Sequence, residues 1–197
     1  PKTPLIAVYP KTALEQQQQD ELNKILLNHV MIEANRSYLQ DPRFGLLVMT
    51  EVGQKAMSAG INDTGSAISA INALTRILID SQPNPEAEPL DYPHISLEMF
   101  ELKDLITGSF GPMARDCVAN LELNQRLLKS LYMIQQNVPE PALQQAAAEM
   151  AVEIVQRCLK HLDFKPDQEV LLTEFAQLFP NEYTQLSTTE YEINTAT

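Results

Sequence analysis

Apolar residues recur at intervals of three and four along most of this chain, and this spacing constrains the fold more than any other feature. The clearest stripes are Ile68, Ile71, Leu74, Thr75 and Leu78, and later Leu123, Leu127, Leu131 and Ile134. Such spacing places the apolar side chains on one face of an α-helix. Only 6 glycines interrupt the 197 residues, which also favours helices. The pattern predicts a mainly α protein, a multi-helix bundle of roughly seven helices.

The N-terminal segment departs from this pattern. Residues 5–9 are short and apolar, contain a β-branched pair and end at Pro10, so they predict a strand. A helix capped by Thr12 is expected to follow as far as about Asn28. Residues 29–33 alternate weakly and predict a second strand beside the first. The bundle is therefore expected to carry a minor N-terminal pair of β-strands.

Changes in composition predict three regions. Residues 1–35 form the small strand-helix-strand element, which is expected to continue upstream in a longer parent protein. A polar connector then leads to Pro42, and residues 36–180 carry the helical stripes of the main domain. Residues 81–93 are rich in proline and acidic groups and form a surface loop within it. Residues 181–197 are polar and rich in threonine, so we expect a flexible tail.

The charge balance excludes some classes of partner. Lysine and arginine number 14 against 26 acidic residues, which gives a formal net charge of −12. Phosphate contacts need clustered cations, so no nucleic-acid partner is expected. No apolar run approaches the roughly 20 residues that cross a bilayer as a helix.

No residue set predicts a catalytic centre, a cofactor or a metal. Phosphate-binding, dinucleotide-binding, nucleophile-elbow and zinc-protease motifs are all absent from the sequence. The three histidines are far apart along the chain, which argues against a zinc site. The two cysteines, Cys117 and Cys158, fall on apolar helix faces and are expected to be buried free thiols.

One polar turn remains as a candidate site. Residues 57–67 read MSAGINDTGSA and join two helical stripes. Gly60 permits a left-handed residue that ends the first helix, while Asn62 or Asp63 can cap the second. This structural interpretation is complete in itself. The alternative is that the turn of residues 60–63 binds a polar ligand or a hard cation through oxygen atoms.

Two further residues could contribute to such a site. Arg36 and Asp41 flank the connector before Pro42. They could pair with each other or with Asp63 and fix the connector to the helical joint. The candidates for ligand binding are thus Arg36, Asp41, Asn62 and Asp63.

Residues 44–74, FGLLVMTEVGQKAMSAGINDTGSAISAINAL, resemble the signature of the domain-of-unknown-function 2254 family of predicted bacterial membrane proteins. The matching residues are Phe44, Gly45, Ala56, Ser58, Gly60, Ile61, Asn62, Asp63 and Ala67. Residues 109–113, SFGPM, are similar to a second family motif. The chain departs from the signature at Glu51, Lys55, Ala59, Thr64, Asn72 and Gly111, where the family has other acidic, basic or proline residues.

The resemblance implies an architecture. Family members have transmembrane helices before a soluble helical region, so this chain would be the soluble part of a parent anchored in the inner membrane, on its cytoplasmic side. Its partners would be the transmembrane segments of the parent, with a homo-oligomer as a further option. No established activity accompanies the family.

Three functions are compatible with these observations. The first is a non-enzymatic domain that supports assembly, gating or sensing beside the membrane, with Asn62 and Asp63 mostly buried. The second is a ligand-binding or enzymatic domain with an open cleft at the joint and the four candidate side chains inside it. The third is a helical adaptor without a membrane parent. The absence of a catalytic motif favours the first.

Overall fold

The structure, a computed structural model, describes residues 6–30, 41–81 and 101–186. Its seven main elements are the helices α1 (Gln16–His29), α2 (Pro42–Ala56), α3 (Thr64–Asp80), α4 (Lys103–Asp116), α5 (Leu121–Asn137), α6 (Pro141–Leu159) and α7 (Lys165–Leu178). Residues 180–186 form a further helical segment. The chain divides into two compact units, Pro1–Ser37 and Tyr38–Thr197. The predicted mainly α class is confirmed.

The predicted N-terminal strands are wrong for residues 6–10, 29 and 30, which the structure describes. Residues 6–10 form neither helix nor strand, and His29 is the last residue of α1 rather than the start of a strand. Its ring Nδ1 lies 2.7 Å from the carbonyl oxygen of Ile25, one turn back. The described ranges contain no strand at all, and residues 31–33 lie outside them. A strand needs a ladder partner, whereas a helix satisfies its own backbone, so the helical pattern extends through His29.

The first helix also begins later than predicted. It starts at Gln16, with Glu15 as the residue before it, and Thr12 lies outside it. The backbone N–H of Glu15 donates to the side-chain Oε1 of Gln18 at 3.0 Å, which is one half of a capping box. A local pair of polar side chains thus sets the start of α1.

The helices of the second unit pack around α5 and α6. Helix α3 packs between α2 and α5, while α4 packs on α2 and α6, and α7 packs on α5 and α6. The largest fully buried side chains are Phe110, Phe175, Phe179, Ile71, Leu74, Ile106, Met113, Leu123, Leu127, Leu128, Leu131 and Ile134. The stripes read from the sequence on α3 and α5 therefore face this core, since burial of apolar area drives such packing.

Helix α4 runs without interruption through Gly108, Gly111 and Pro112. The sequence predicts a kink or break there, in a helix beginning at Ser96, a residue outside the described ranges. Proline removes one backbone donor and costs a free helix about 3 kcal/mol. Phe110 and Met113 are buried against the other helices, and this packing keeps the segment helical.

Candidate functional site

The joint between α2 and α3 is a closed turn. After Ala56 the chain turns over residues 57–62, where the backbone N–H groups of Ile61 and Asn62 both donate to the carbonyl oxygen of Ser58 at 2.9 Å. The N–H of Asp63 then donates to the carbonyl oxygen of Ala56 at 2.8 Å. This bond ties the start of one helix to the end of the previous one. The predicted helix–turn–helix joint is present.

The left-handed residue of this turn is Asn62, not Gly60 as the sequence predicts. Asn62 has a φ of 47°, and none of the described glycines has a positive φ. Asparagine tolerates the left-handed region better than other residues that carry a Cβ, because its short polar side chain can bond locally. The turn therefore requires a left-handed backbone at Asn62, which is one of the candidate site residues.

Asp63 is the N-cap of α3. One carboxylate oxygen accepts the backbone N–H of Ser66 at 3.0 Å, and the other accepts the Ser66 hydroxyl at 2.6 Å. These bonds, the hydroxyl bond first, lower the pKa of Asp63 below its ordinary value of 3.8. Both oxygens are thus engaged within the first turn of the helix, as in a structural cap.

Asn62 and Asp63 are exposed. The first functional hypothesis expected them to be mostly buried, and that expectation is wrong because the turn lies on the surface. The second expected an open cleft at the joint. Three cavities of the described part of the chain are lined by residues of α3, α5, α6 and α7 and of the segment after Leu178, and the joint lines none of these three.

Asp41 lies at the other end of α2. It caps that helix, and its Oδ1 accepts the backbone N–H of Arg43 at 3.0 Å and lies 3.5 Å from the Arg43 guanidinium Nε. Helix α2 has 15 residues, a length of about 22 Å. Asp41 therefore does not share a pocket with Asn62 and Asp63. Arg36 lies outside the described residues.

No metal site is found in the part of the chain that the structure describes, where no group of three or more histidine, cysteine or acidic side chains could hold an ion. Cys117 and Cys158 are both free and buried, as predicted. Burial raises the pKa of each thiol to about 12, so neither is a nucleophile near neutral pH.

The sequence does not reveal a polar cluster between α3 and α5. Arg126 of α5 donates from Nε to the Asn72 Oδ1 of α3 at 2.6 Å, and its Nη2 donates to the same oxygen. The two residues are 54 positions apart. The only indication in the sequence is that Asn72 is one of the positions at which this chain departs from the family signature.

Comparison with known proteins identifies a family. The model of the family described as predicted membrane protein, domain of unknown function 2254, matches residues 1–133. No curated protein and no solved structure matches the chain. Among the helices that the structure describes, none is both long and apolar enough to cross a membrane.

Proposed function

The chain belongs to the domain-of-unknown-function 2254 family of predicted membrane proteins, and from this premise we propose that it is a non-catalytic region that supports assembly of a membrane protein. In this proposal the region lies beside the inner membrane on the cytoplasmic side. Its partners are the transmembrane segments of the parent protein and a second copy of the chain.

The roles of the two acidic candidates support a non-catalytic function. Asp41 and Asp63 each cap a helix, and they lie at opposite ends of α2. The bonds that Asp63 accepts lower its pKa, which keeps it ionised near neutral pH. A general acid or base needs a pKa near the working pH and a place in a cleft. The pKa of Asp63 is lowered instead, and both Asp41 and Asp63 act as helix caps.

The single observation that carries the assembly role is the exposure of α1. Leu22, Ile25 and Leu26 follow the spacing of one helical face. No residue of α1 is buried, and Ile25 is 51% exposed. An apolar helical stripe that the described residues of its own compact unit leave uncovered is typical of a surface that packs on a partner. We take the same stripe of a second copy as the occupant, because helices with matching stripes pair symmetrically.

The two free, buried cysteines support the cytoplasmic side. Exported proteins that contain cysteine pairs usually form disulfides, whereas reduced thiols are typical of a reducing compartment. Cys117 and Cys158 are free although they lie close enough for the charge of one to affect the pKa of the other.

The assembly role is tested by measuring the molar mass of the full chain by light scattering over a concentration series. We expect the wild-type chain to self-associate and the double variant Ile25→Glu, Leu26→Glu to be a monomer with unchanged helical circular dichroism. Leu27→Glu is the matched control, because Leu27 is 73% exposed and points about 200° around the helix from Ile25.

Two outcomes would contradict the proposal. The first is a wild-type chain that stays monomeric at the highest concentration reached. The second is an equal loss of association in Leu27→Glu, which would mean that added charge rather than the stripe of α1 controls the assembly.

A further inference from the structure

A small cavity lies between α3 and α5, away from the joint that the family signature marks. Its volume is about 320 Å³. It is lined by Asn72, Thr75, Arg76, Ile79, Asp80, Arg126, Met133 and Asn137. Two guanidinium groups thus line one cavity of a chain whose net charge is −12. Such a local excess of positive charge in an acidic protein points to a ligand of opposite charge.

The guanidinium of Arg126 is positioned without being neutralised. Its two bonds go to the side-chain oxygen of Asn72, which is an uncharged acceptor. Within residues 6–30, 41–81 and 101–186, neither Arg126 nor Arg76 forms an ion pair with an acidic side chain. Arg126 is only partly buried, so its remaining N–H groups can reach a ligand. An arginine fork held in place by a neutral group is well suited to bind a carboxylate.

The other lining groups define the class of anion. Asp80 offsets one of the two positive charges, so the cavity favours a ligand with a single negative charge over one with several. Ile79 and Met133 add apolar surface next to the arginines. The volume is at the lower end of the range for small-molecule sites, about 300–1,000 Å³. These features together fit a short apolar body that carries one carboxylate.

We propose that the α3–α5 cavity binds a small organic monocarboxylate. Arg126 and Arg76 bind its carboxylate group, and Ile79 and Met133 contact its hydrocarbon part. Asn72 is a positioning residue, because it holds the Arg126 fork and does not itself carry a charge. The site is independent of the assembly role, since α1 takes no part in it.

The test is a titration of the full ¹⁵N-labelled chain followed by NMR, with hexanoate as the probe. We expect saturable shifts of amide signals from α3 and α5. Inorganic phosphate, which has more charge and no apolar part, is expected to bind more weakly, and hexylamine is expected to cause no saturable shift. Equal binding of phosphate and hexanoate would contradict the proposal, because it would show that charge alone is recognised.

Variants of the arginines sharpen the test. Arg126→Gln and Arg76→Gln are each expected to weaken hexanoate binding by roughly tenfold or more, because each removes a charged hydrogen-bond donor. Arg115→Gln is the matched control, since Arg115 is an exposed helical arginine outside the cavity and its loss should leave binding unchanged. If both single variants, Arg76→Gln and Arg126→Gln, bind hexanoate as tightly as the wild-type chain, the proposed site is wrong.

A positioning role for Asn72 has its own readout. Asn72→Ala keeps both charges but frees the Arg126 fork, so we expect weaker hexanoate binding with a smaller effect on phosphate. The Arg126 Nε proton signal, which reports the hydrogen bond, should move in this variant even without ligand. If hexanoate and phosphate are weakened equally, Asn72 does not position the fork. If Arg126→Gln fails to fold, hexanoate binding by Arg76→Gln still tests the proposal, because Arg76 is exposed and its replacement should not affect folding.

Discussion

The backbone N–H of Asp63 donates to the carbonyl oxygen of Ala56 at 2.8 Å, so the residue that caps α3 is bonded directly to the last residue of α2. The same Asp63 accepts two bonds from Ser66 through its side chain. One residue therefore closes the turn through its backbone and starts the next helix through its carboxylate. The most recognisable stretch of the family signature in this chain is a structural joint.

The cap at Asp63 predicts a pH-dependent stability. Because its pKa is lowered in the folded chain from an ordinary value of 3.8, its contribution is fully present above 3.8 and is lost as the pH falls through the lowered value. Asp63→Ala should thus be less stable than wild type near neutral pH, and the difference should shrink in strong acid. Urea unfolding followed by circular dichroism at several pH values measures this.

The control for the cap is Asp63→Asn, because asparagine caps helices but does not titrate. Its stability relative to Asp63→Ala should stay the same over the same pH range. A difference between wild type and Asp63→Ala that does not vary with pH would show that the carboxylate charge is not involved in the cap.

The left-handed conformation of Asn62 predicts opposite results for two substitutions. Asn62→Val should lower the free energy of unfolding by about 1–2 kcal/mol, since a branched Cβ is disfavoured at the φ of 47°. Asn62→Gly should change it by less than about 0.5 kcal/mol, because glycine adopts this region without strain. Urea unfolding of both variants measures the effect. If Asn62→Val is as stable as wild type, the turn is not left-handed at this position.

A close approach of α2 and α4 makes Gly53 sensitive to substitution. A Cβ added to Gly53 would overlap the Met113 Cε and would lie 2.8 Å from the Met113 Sδ and 3.3 Å from the Ala70 Cβ. The Met113 atoms are the end of a flexible side chain, but this side chain is buried in a close-packed core and can shift only by displacing its neighbours. Gly53→Ala should therefore destabilise the chain by about 1–2 kcal/mol, since overpacking outweighs the gain in helix propensity. Thermal unfolding measures the change.

Gly108 is the matched control for Gly53, because it also lies inside a helix and a Cβ there would meet nothing within 4 Å. Gly108→Ala should raise stability by about 0.5–1 kcal/mol. Equal changes in the two variants would argue that Gly53 is not at a tight helix contact.

The buried thiols predict slow chemical modification. Because the pKa of Cys117 and Cys158 is raised to about 12, little thiolate exists near neutral pH. A disulfide reagent should label neither residue in the native chain and both residues in urea. Ser69→Cys supplies the control, since Ser69 is exposed and the new thiol should react at once. Rapid labelling of the wild-type chain would mean that the helices around these thiols open readily.

The sequence by itself determined most of the helices and the caps of α3 and α5. The stripes on α3 and α5 and the caps at Asp63 and Asn120 depend on contacts within about one helical turn, as in the 3.0 Å bond from the Leu123 N–H to the Asn120 side chain. Such local preferences can be read from neighbouring residues. The N-terminal strands were predicted wrongly because short apolar runs suit a strand and the end of a helix equally well.

The tertiary structure decided which distant residues meet. The separation of Asp41 from Asp63 follows from the length of α2, because Asp41 caps its start and Asp63 is bonded to its last residue, Ala56. The pairing of Asn72 with Arg126 follows from the packing of α3 on α5. Periodicity shows which face of each helix is apolar but not which helix will cover it, because many pairings bury similar area. The α3–α5 cavity is formed by residues of two helices that are far apart in sequence. It could therefore be identified only from the packed structure.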